Sequence, residues 1–217
     1  MKNATSIGML ATVVFAIGMI GINFSDGTFV LQNETPTSTM ESGGILGHIE
    51  IIHTDSEGNI LSYQQTDNAI VNDGRNCTAM LLFGANSGCR SDDADGLGKY
   101  TVIGVGNGTA LSGSTSQTDT NDEVNDNGIV RITGTLGAFL NSSNPGDPAV
   151  QRITAQFTWL GGTTNTINQA GLFNDTTAGS TSSTFALKNF PSSVAMNTND
   201  QLTVNWDITI EGTDDYG

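Results

Sequence analysis

A chain of 217 residues with 27 glycines, only 13% charged residues and a net charge of −15 has the composition of a loop-rich β protein and argues against a helical bundle. Its seven basic residues are scattered from Lys2 to Lys188 and form no stripe to neutralise phosphates, which excludes nucleic acid as a partner. The length fits one sizeable sandwich or two small domains, and the acidity suits high salt, a divalent-rich exterior or mutual repulsion between copies.

The run over residues 7–22 is almost wholly apolar, follows the single cation Lys2, and gives way at once to Asn23, Ser25 and Asp26. A hydrophobic helix behind one positive charge is the core of a secretory signal, and it falls short of the roughly 20 apolar residues of a free-standing span. Residues 1–25 read as a signal peptide or, because no small-x-small cleavage site follows, as an uncleaved membrane anchor. The body is therefore expected outside the cell or at its surface, touching a membrane only through this segment. A buried helix opening a cytosolic domain would need neither the cation nor the abrupt polar switch.

Residues 26–44 carry the Asn33-Glu-Thr-Pro-Thr-Ser-Thr and Ser42-Gly-Gly stretches, which cannot bury a core and read as a flexible linker. Within it Thr28, Phe29, Val30 and Leu31 form a short β-prone patch. On a flexible arm such a patch is a donor-strand candidate that completes a neighbour's sheet; alternatively it is the tail of the leader, or folds back on its own domain.

Residues 45–217 read as one β-sandwich domain. Residues 45–53 and 60–66 make a hairpin across a turn in which Asp55 and Gly58 supply the turn chemistry. Residues 76–83 suggest one short helix stopped by Gly84. Cys77 and Cys89, flanking a glycine-containing loop in an exported chain, are expected to form a disulfide, since zinc would want four ligands and the only histidines are His48 and His53. Those two histidines are an odd number of residues apart, so on one strand they face opposite ways and share no metal. Strands follow over 100–105, 129–136, 153–159, 168–173, 185–190 and 202–210. In the last, Leu202, Val204, Trp206, Ile208 and Ile210 alternate with Thr203, Asn205, Asp207 and Thr209, which places a core on one face and water on the other. So regular a strand is expected centrally in a sheet, against Phe157 and Trp159. The fold class is all-β: a single antiparallel, Greek-key-like sandwich with one short helix, preceded by the hydrophobic N-terminal helix.

No catalytic motif stands out. Gly104-x-Gly106-x-Gly108 lacks the helix whose N-terminus would bind phosphate and reads as a turn. Asp92, Asp93 and Asp95, and separately Asp119, Asp122, Glu123 and Asp126, cluster hard oxygens on loops long enough to wrap calcium, although neither has EF-hand spacing and a solvated acidic loop accounts for them equally well. No other cofactor is expected. Asn33, Asn76, Asn107, Asn141 and Asn174 each begin an Asn-x-Ser/Thr triplet and are glycosylation candidates, with Asn76, beside Cys77, expected to be the least accessible.

The succession Gly104-Val-Gly-Asn-Gly-Thr109, the acidic segment 119–123, Gln156-Phe-Thr-Trp159, Gln169-Ala-Gly-Leu-Phe-Asn174, Phe190-Pro191 and the terminal strand resembles a β-sandwich module of tailed-virus structural and fibre-associated proteins. It is also similar to exported archaeal surface and filament-type β-sandwich proteins. The resemblance covers roughly residues 68–210 and implies packing, not chemistry. It departs from the viral pattern in carrying a secretory leader, which favours a cell-surface protein or a virus that matures at a membrane. Two functions follow as expectations. The first is a non-enzymatic extracellular structural subunit that self-assembles, as a homo-oligomer or polymer, into a surface filament or coat. The second is a viral-fibre or adhesin-type module that binds glycan through loops at one end of the sandwich.

Overall fold

A computed structural model describes residues 44–83, 99–114, 116–140, 147–177 and 183–211. The leader, the donor-strand candidate Thr28 to Leu31, Asn33, Cys89, Asp92, Asp93, Asp95 and Asn141 lie outside the described residues. The strands are β1 (Ile45–Thr54), β2 (Ile60–Ile70), β3 (Val102–Gly106), β4 (Ile132–Thr133), β5 (Thr135–Leu136), β6 (Ala149–Thr158), β7 (Asn165–Phe173), β8 (Thr184–Met196) and β9 (Gln201–Ile210), with one helix, α1 (Asn72–Phe83), after β2. They pair in the order β4-β3-β7-β8-β2-β1-β9-β6-β5, antiparallel throughout. The domain is all-β with a single short helix, as its composition led one to expect.

The sheet folds on itself at two corners. At the first, β2 pairs with β1 as far as Asn68, then changes partner and meets β8 at Ala69 and Ile70 only. At the second, β4 pairs with β3 and β5 pairs with β6, one residue, Gly134, separating the two short strands. A Cβ at Gly134 would lie 2.6 Å from Ile153 Cγ2, so glycine is what lets the chain cross between layers. The stretch 129–136 is thus a strand kinked at its middle.

The two layers enclose one core. Period-two alternation sends Ile49, Ile51, Phe157, Leu202, Val204 and Trp206 inward from one layer to meet Ile103, Val105, Ile167, Leu172, Val194 and Met196 from the other, all buried. The terminal strand β9 lies between β1 and β6, with Leu202 opposite Phe157 and the Trp159 amide donating to the Asp200 carbonyl. A smaller cluster of Val71, Val102, Leu111, Phe173 and Leu187 occupies the outer face of the β3-β7-β8 layer. That layer is therefore covered on both sides, which is why every residue of β3 is buried.

Several boundaries differ from the sequence reading for local reasons. The helix begins at Asn72, not at residue 76. Gly74, a poor helix former, obscured its first turn, yet a Cβ there would sit 2.4 Å from the Phe185 carbonyl oxygen. Strand β8 runs on through Pro191 to Met196, because the proline lies past the two residues that pair with β2 and within the irregularity of the β7 ladder between Asn189 and Val194. Gly104 and Gly106 are not a turn. They belong to β3, and a Cβ would come within 2.9 Å of the Arg131 Cγ and the Gln169 Cγ respectively, so their small size makes room for side chains lying over the sheet.

Candidate functional site

Residues 107–114 and 116–123, together with Arg131, lie across the outer face of β3 and β7 as a tied-down cover. Gln169, fully buried, accepts from the Asn121 amide at 2.7 Å through Oε1 and donates to the Thr109 carbonyl at 3.3 Å through Nε2. Asn189 accepts from the Leu111 amide at 2.8 Å and donates back to its carbonyl at 3.0 Å. Arg131, only 4% exposed, places its guanidinium carbon 3.5 Å from the centre of the Phe173 ring. Its Nε donates to Glu123 Oε1 at 2.6 Å and its Nη2 to Asp119 Oδ1 at 2.8 Å. A buried cation between two carboxylates over an aromatic face is a crosslink that fastens the acidic loop to the sheet. Burial pushes the Glu123 carboxyl above its ordinary range, against the pull of Arg131, and its Oε2 is buried without a hydrogen-bond partner.

The residues expected to share calcium do not converge. Asp119 and Glu123 face Arg131, whereas Asp122 and Asp126 are exposed. Among the described residues no three His, Cys, Asp or Glu side chains form a group that could hold a metal. Asp122 and Asn127 take positive φ values of 47° and 46°, and the Asn127-Gly128 pair turns tightly from Asp126 to Ile129, whose amide donates to the Asp126 carbonyl at 2.8 Å.

Beside this cover, at one end of the sandwich, opens a cleft of about 600 Å³ lined by Asn107, residues 122–127, Trp159 and residues 161–165. Its walls carry amides, carboxylates and hydroxyls, with Trp159 buried behind them and donating its Nε1–H to the Thr163 carbonyl at 2.7 Å. Asn107, a glycosylation candidate, is exposed on its rim. Asn76 is also exposed, on α1, which reverses the expectation that it would be the least accessible. Among the described candidates Asn174 takes that place at 4% exposure, its Oδ1 accepting from the Ser183 amide at 2.7 Å. Cys77 is buried, and no cysteine among the described residues is free.

The two histidines face opposite ways, as their spacing requires. His53 points inward and meets Asp200 at 3.1 Å, and Asp200 also accepts from the Asn197 amide at 2.8 Å, so the pair ties the β8–β9 turn to β1. His48 points outward and meets Asp67 at 2.9 Å. On the same outer face Arg152 grips Asp207 at 2.7 and 2.5 Å and reaches Glu50 at 3.2 Å, and Glu50 also accepts from Tyr63 and Asn205. These pairs run directly across neighbouring strands, Asp67-His48-Asp207-Arg152 in one row and Gln65-Glu50-Asn205-Thr154 in the next. The arrangement is that of a ladder holding strands in register.

The opposite end is apolar. Gly44, where the described chain begins, accepts there from the Glu211 amide at 3.1 Å. Leu46, Leu136, Phe139, Leu140 and Ile210 are between 48% and 61% exposed and are shared between the two faces of the sheet, Leu46 and Leu140 on the outer face and Ile210 and Leu136 on the side of Ile45 and Ile153. Leu46, Thr209, Val150 and Leu140 form one row, and Leu136 lies beside Ile153. The sequence reading missed this surface together with Arg131, Gln169 and Phe173. The uncharged stretch 132–140 was the signal available for it. No family model, curated protein or solved structure matches the chain.

Proposed function

We propose that this chain is a non-enzymatic, extracellular structural subunit that self-assembles into a cell-surface filament or coat, neighbouring copies being joined by strand addition through the segment around Thr28 to Leu31. The observation that carries this reading is the apolar end. Five large side chains about half exposed lie on the two faces of the sheet at the end where Gly44 meets Glu211, apolar surface of the kind that marks a protein contact. The described charged residues support it from the other side. Arg131, Arg152, His48 and His53 each face carboxylates that serve the fold, an arrangement suited to a rigid building block. The leader and the resemblance to exported surface β-sandwich proteins agree with an extracellular place. There a Cys77–Cys89 disulfide would anchor α1 at its middle, and calcium would act by screening the acidic loops. Electron microscopy and sedimentation of the purified chain test the reading. Ordered polymers that vanish on deletion of residues 27–32 are expected, and a strictly monomeric protein indifferent to that deletion contradicts it.

The polar cleft favours a second reading, a fibre or adhesin module that binds glycan. Clustered amides, carboxylates and hydroxyls beside an aromatic wall are the groups that meet sugar hydroxyls. Glycan-array binding by the monomer, lost on Asn125→Ala, would favour this reading over the first.

A further inference from the structure

The second corner of the sheet ends in an open edge. From Thr135 the chain follows β6 in antiparallel fashion, with Thr135 opposite Thr154 and Leu136 opposite Ile153, the Gly137 amide donating to the Arg152 carbonyl, and Leu140 and Val150 exchanging both backbone hydrogen bonds at 2.9 and 3.0 Å. Five residues on this side, from Leu136 to Leu140, match four on β6, from Val150 to Ile153, so the edge contains a one-residue bulge. Strand β5 is the last in the sheet order, and no described strand lies along its other side. Every residue from 135 to 140 is exposed, and the stretch Thr-Leu-Gly-Ala-Phe-Leu holds no charge and no proline. Backbone donors and acceptors that face β6 alternate with ones that face away, so this edge presents hydrogen-bonding groups outward beside Leu136, Phe139 and Leu140. Natural sheets ordinarily blunt such an edge with lysine, proline or an inward charge. This one has a bulge and a short β5 but no lysine, proline or inward charge.

We infer that the edge at residues 135–140 is the acceptor for strand addition and that its occupant is the segment Thr28-Phe29-Val30-Leu31 of a neighbouring copy; the inference rests on the assembly reading above. Three features select that occupant. In a chain of net charge −15 copies repel one another, and contact is cheapest where both sides are neutral. Residues 27–33 are uncharged between Asp26 and Glu34, as are 132–140. The segment is β-branched and aromatic, the composition that pairs well on a pleated edge. The described chain begins at this same end, at Gly44, which accepts from the Glu211 amide, and the chain from Leu31 to Gly44 spans at most about 45 Å when extended, a reach that suits an adjacent subunit. Arm into edge is a heterologous contact, which propagates into an open filament, whereas two edges meeting about a two-fold axis would stop at a dimer.

The test uses the full chain. In the double variant Val30→Cys with Ala138→Cys, oxidation is expected to give a ladder of disulfide-linked multimers, with the bridge between the two introduced cysteines identified by peptide mass spectrometry. In Leu136→Lys with Phe139→Lys, both side chains being more than half exposed, polymers are expected to disappear while the melting temperature is unchanged. If deletion of residues 27–32 abolishes polymers but the double-lysine variant still polymerises and the cysteine pair gives no ladder, the arm acts elsewhere. The edge assignment is then overturned while the assembly reading stands. A cysteine bridge formed only within one chain, or dimers only, also overturns it. Monomers under every condition overturn both.

Discussion

The two corners at which the chain passes between layers are built in opposite ways. At the first, β2 and β8 separate beyond Ala69 and Leu187, toward Asn68 and Lys188, and the gap is managed. Pro191 removes a donor from β8, the Ser192 amide is taken up by Gln64 Oε1 at 2.8 Å, and Lys188 and Asp67 place charges nearby. At the second, Gly134 turns the strand and residues 135–140 continue exposed and uncharged. One open edge is protected against pairing and the other is left able to pair. The difference teaches that the unprotected edge is not a general property of how this sheet closes. The same chain uses proline and charge at one corner and only a bulge and a short strand at the other.

Substitutions that undo each corner sharpen this comparison. The largest effect on stability is expected at Arg131, which fastens the strand leading into the Gly134 corner. Arg131→Met keeps the side-chain bulk over Phe173 but leaves Glu123 and Asp119 without their cation. Breaking one side of a buried ion pair costs about 3–5 kcal/mol, a fall in melting temperature of about 10 °C for a domain of this size, which calorimetry would read. If the corner were held by the strand pairing alone, the melting temperature would hardly move.

At the first corner the corresponding residue is Asn68. Its Oδ1 accepts from the buried Trp206 Nε1–H at 2.9 Å, and Gly47 gives it room, since a Cβ there would come within 2.1 Å of that oxygen. Asn68→Ala leaves the indole donor without its partner and is expected to cost about 1–2 kcal/mol by denaturant titration, less than Arg131→Met and without effect on assembly. Loss of polymers in this variant at a temperature where the domain is folded would contradict the division of roles between the corners.

The smallest effect is a pH dependence. Burial raises the Glu123 carboxyl above its ordinary value of 4.5, so the folded chain binds this proton more tightly than the unfolded chain. The group therefore disfavours folding at neutral pH, and this penalty is relieved as the pH falls through the raised folded value toward 4.5. Between those limits the difference in stability between the wild type and Glu123→Gln is expected to change with pH, the wild type gaining on the variant as the solution is acidified. A difference constant across that window would show that Arg131 cancels the effect of burial.

Much of the scaffold was legible in the sequence because it rests on local alternation. The regular succession Leu202, Val204, Trp206 placed β9 centrally, where it pairs with β1 and β6, and the odd spacing of His48 and His53 sent them to opposite faces. The candidate surfaces were less legible because they depend on distant partners. The acidic segment around Asp119 and Glu123 reads as a metal loop until Arg131 and Phe173 are brought over it, and nothing in Gly104 and Gly106 shows that Arg131 and Gln169 will lie across them. In the sequence the strand over 129–136 reads as an ordinary one that ends at Leu136. Only the crossing at Gly134, with β3 on one side and β6 on the other, makes residues 135–140 an edge.

The most direct test of this account is amide hydrogen exchange, read peptide by peptide, on assembled and dispersed forms of the full chain. Slower exchange in the assembled form confined to residues 27–32 and 135–140, with the β2–β8 corner and residues 122–127 unchanged, is the predicted result. Protection at residues 122–127 or 188–193 with none at 135–140 would contradict it.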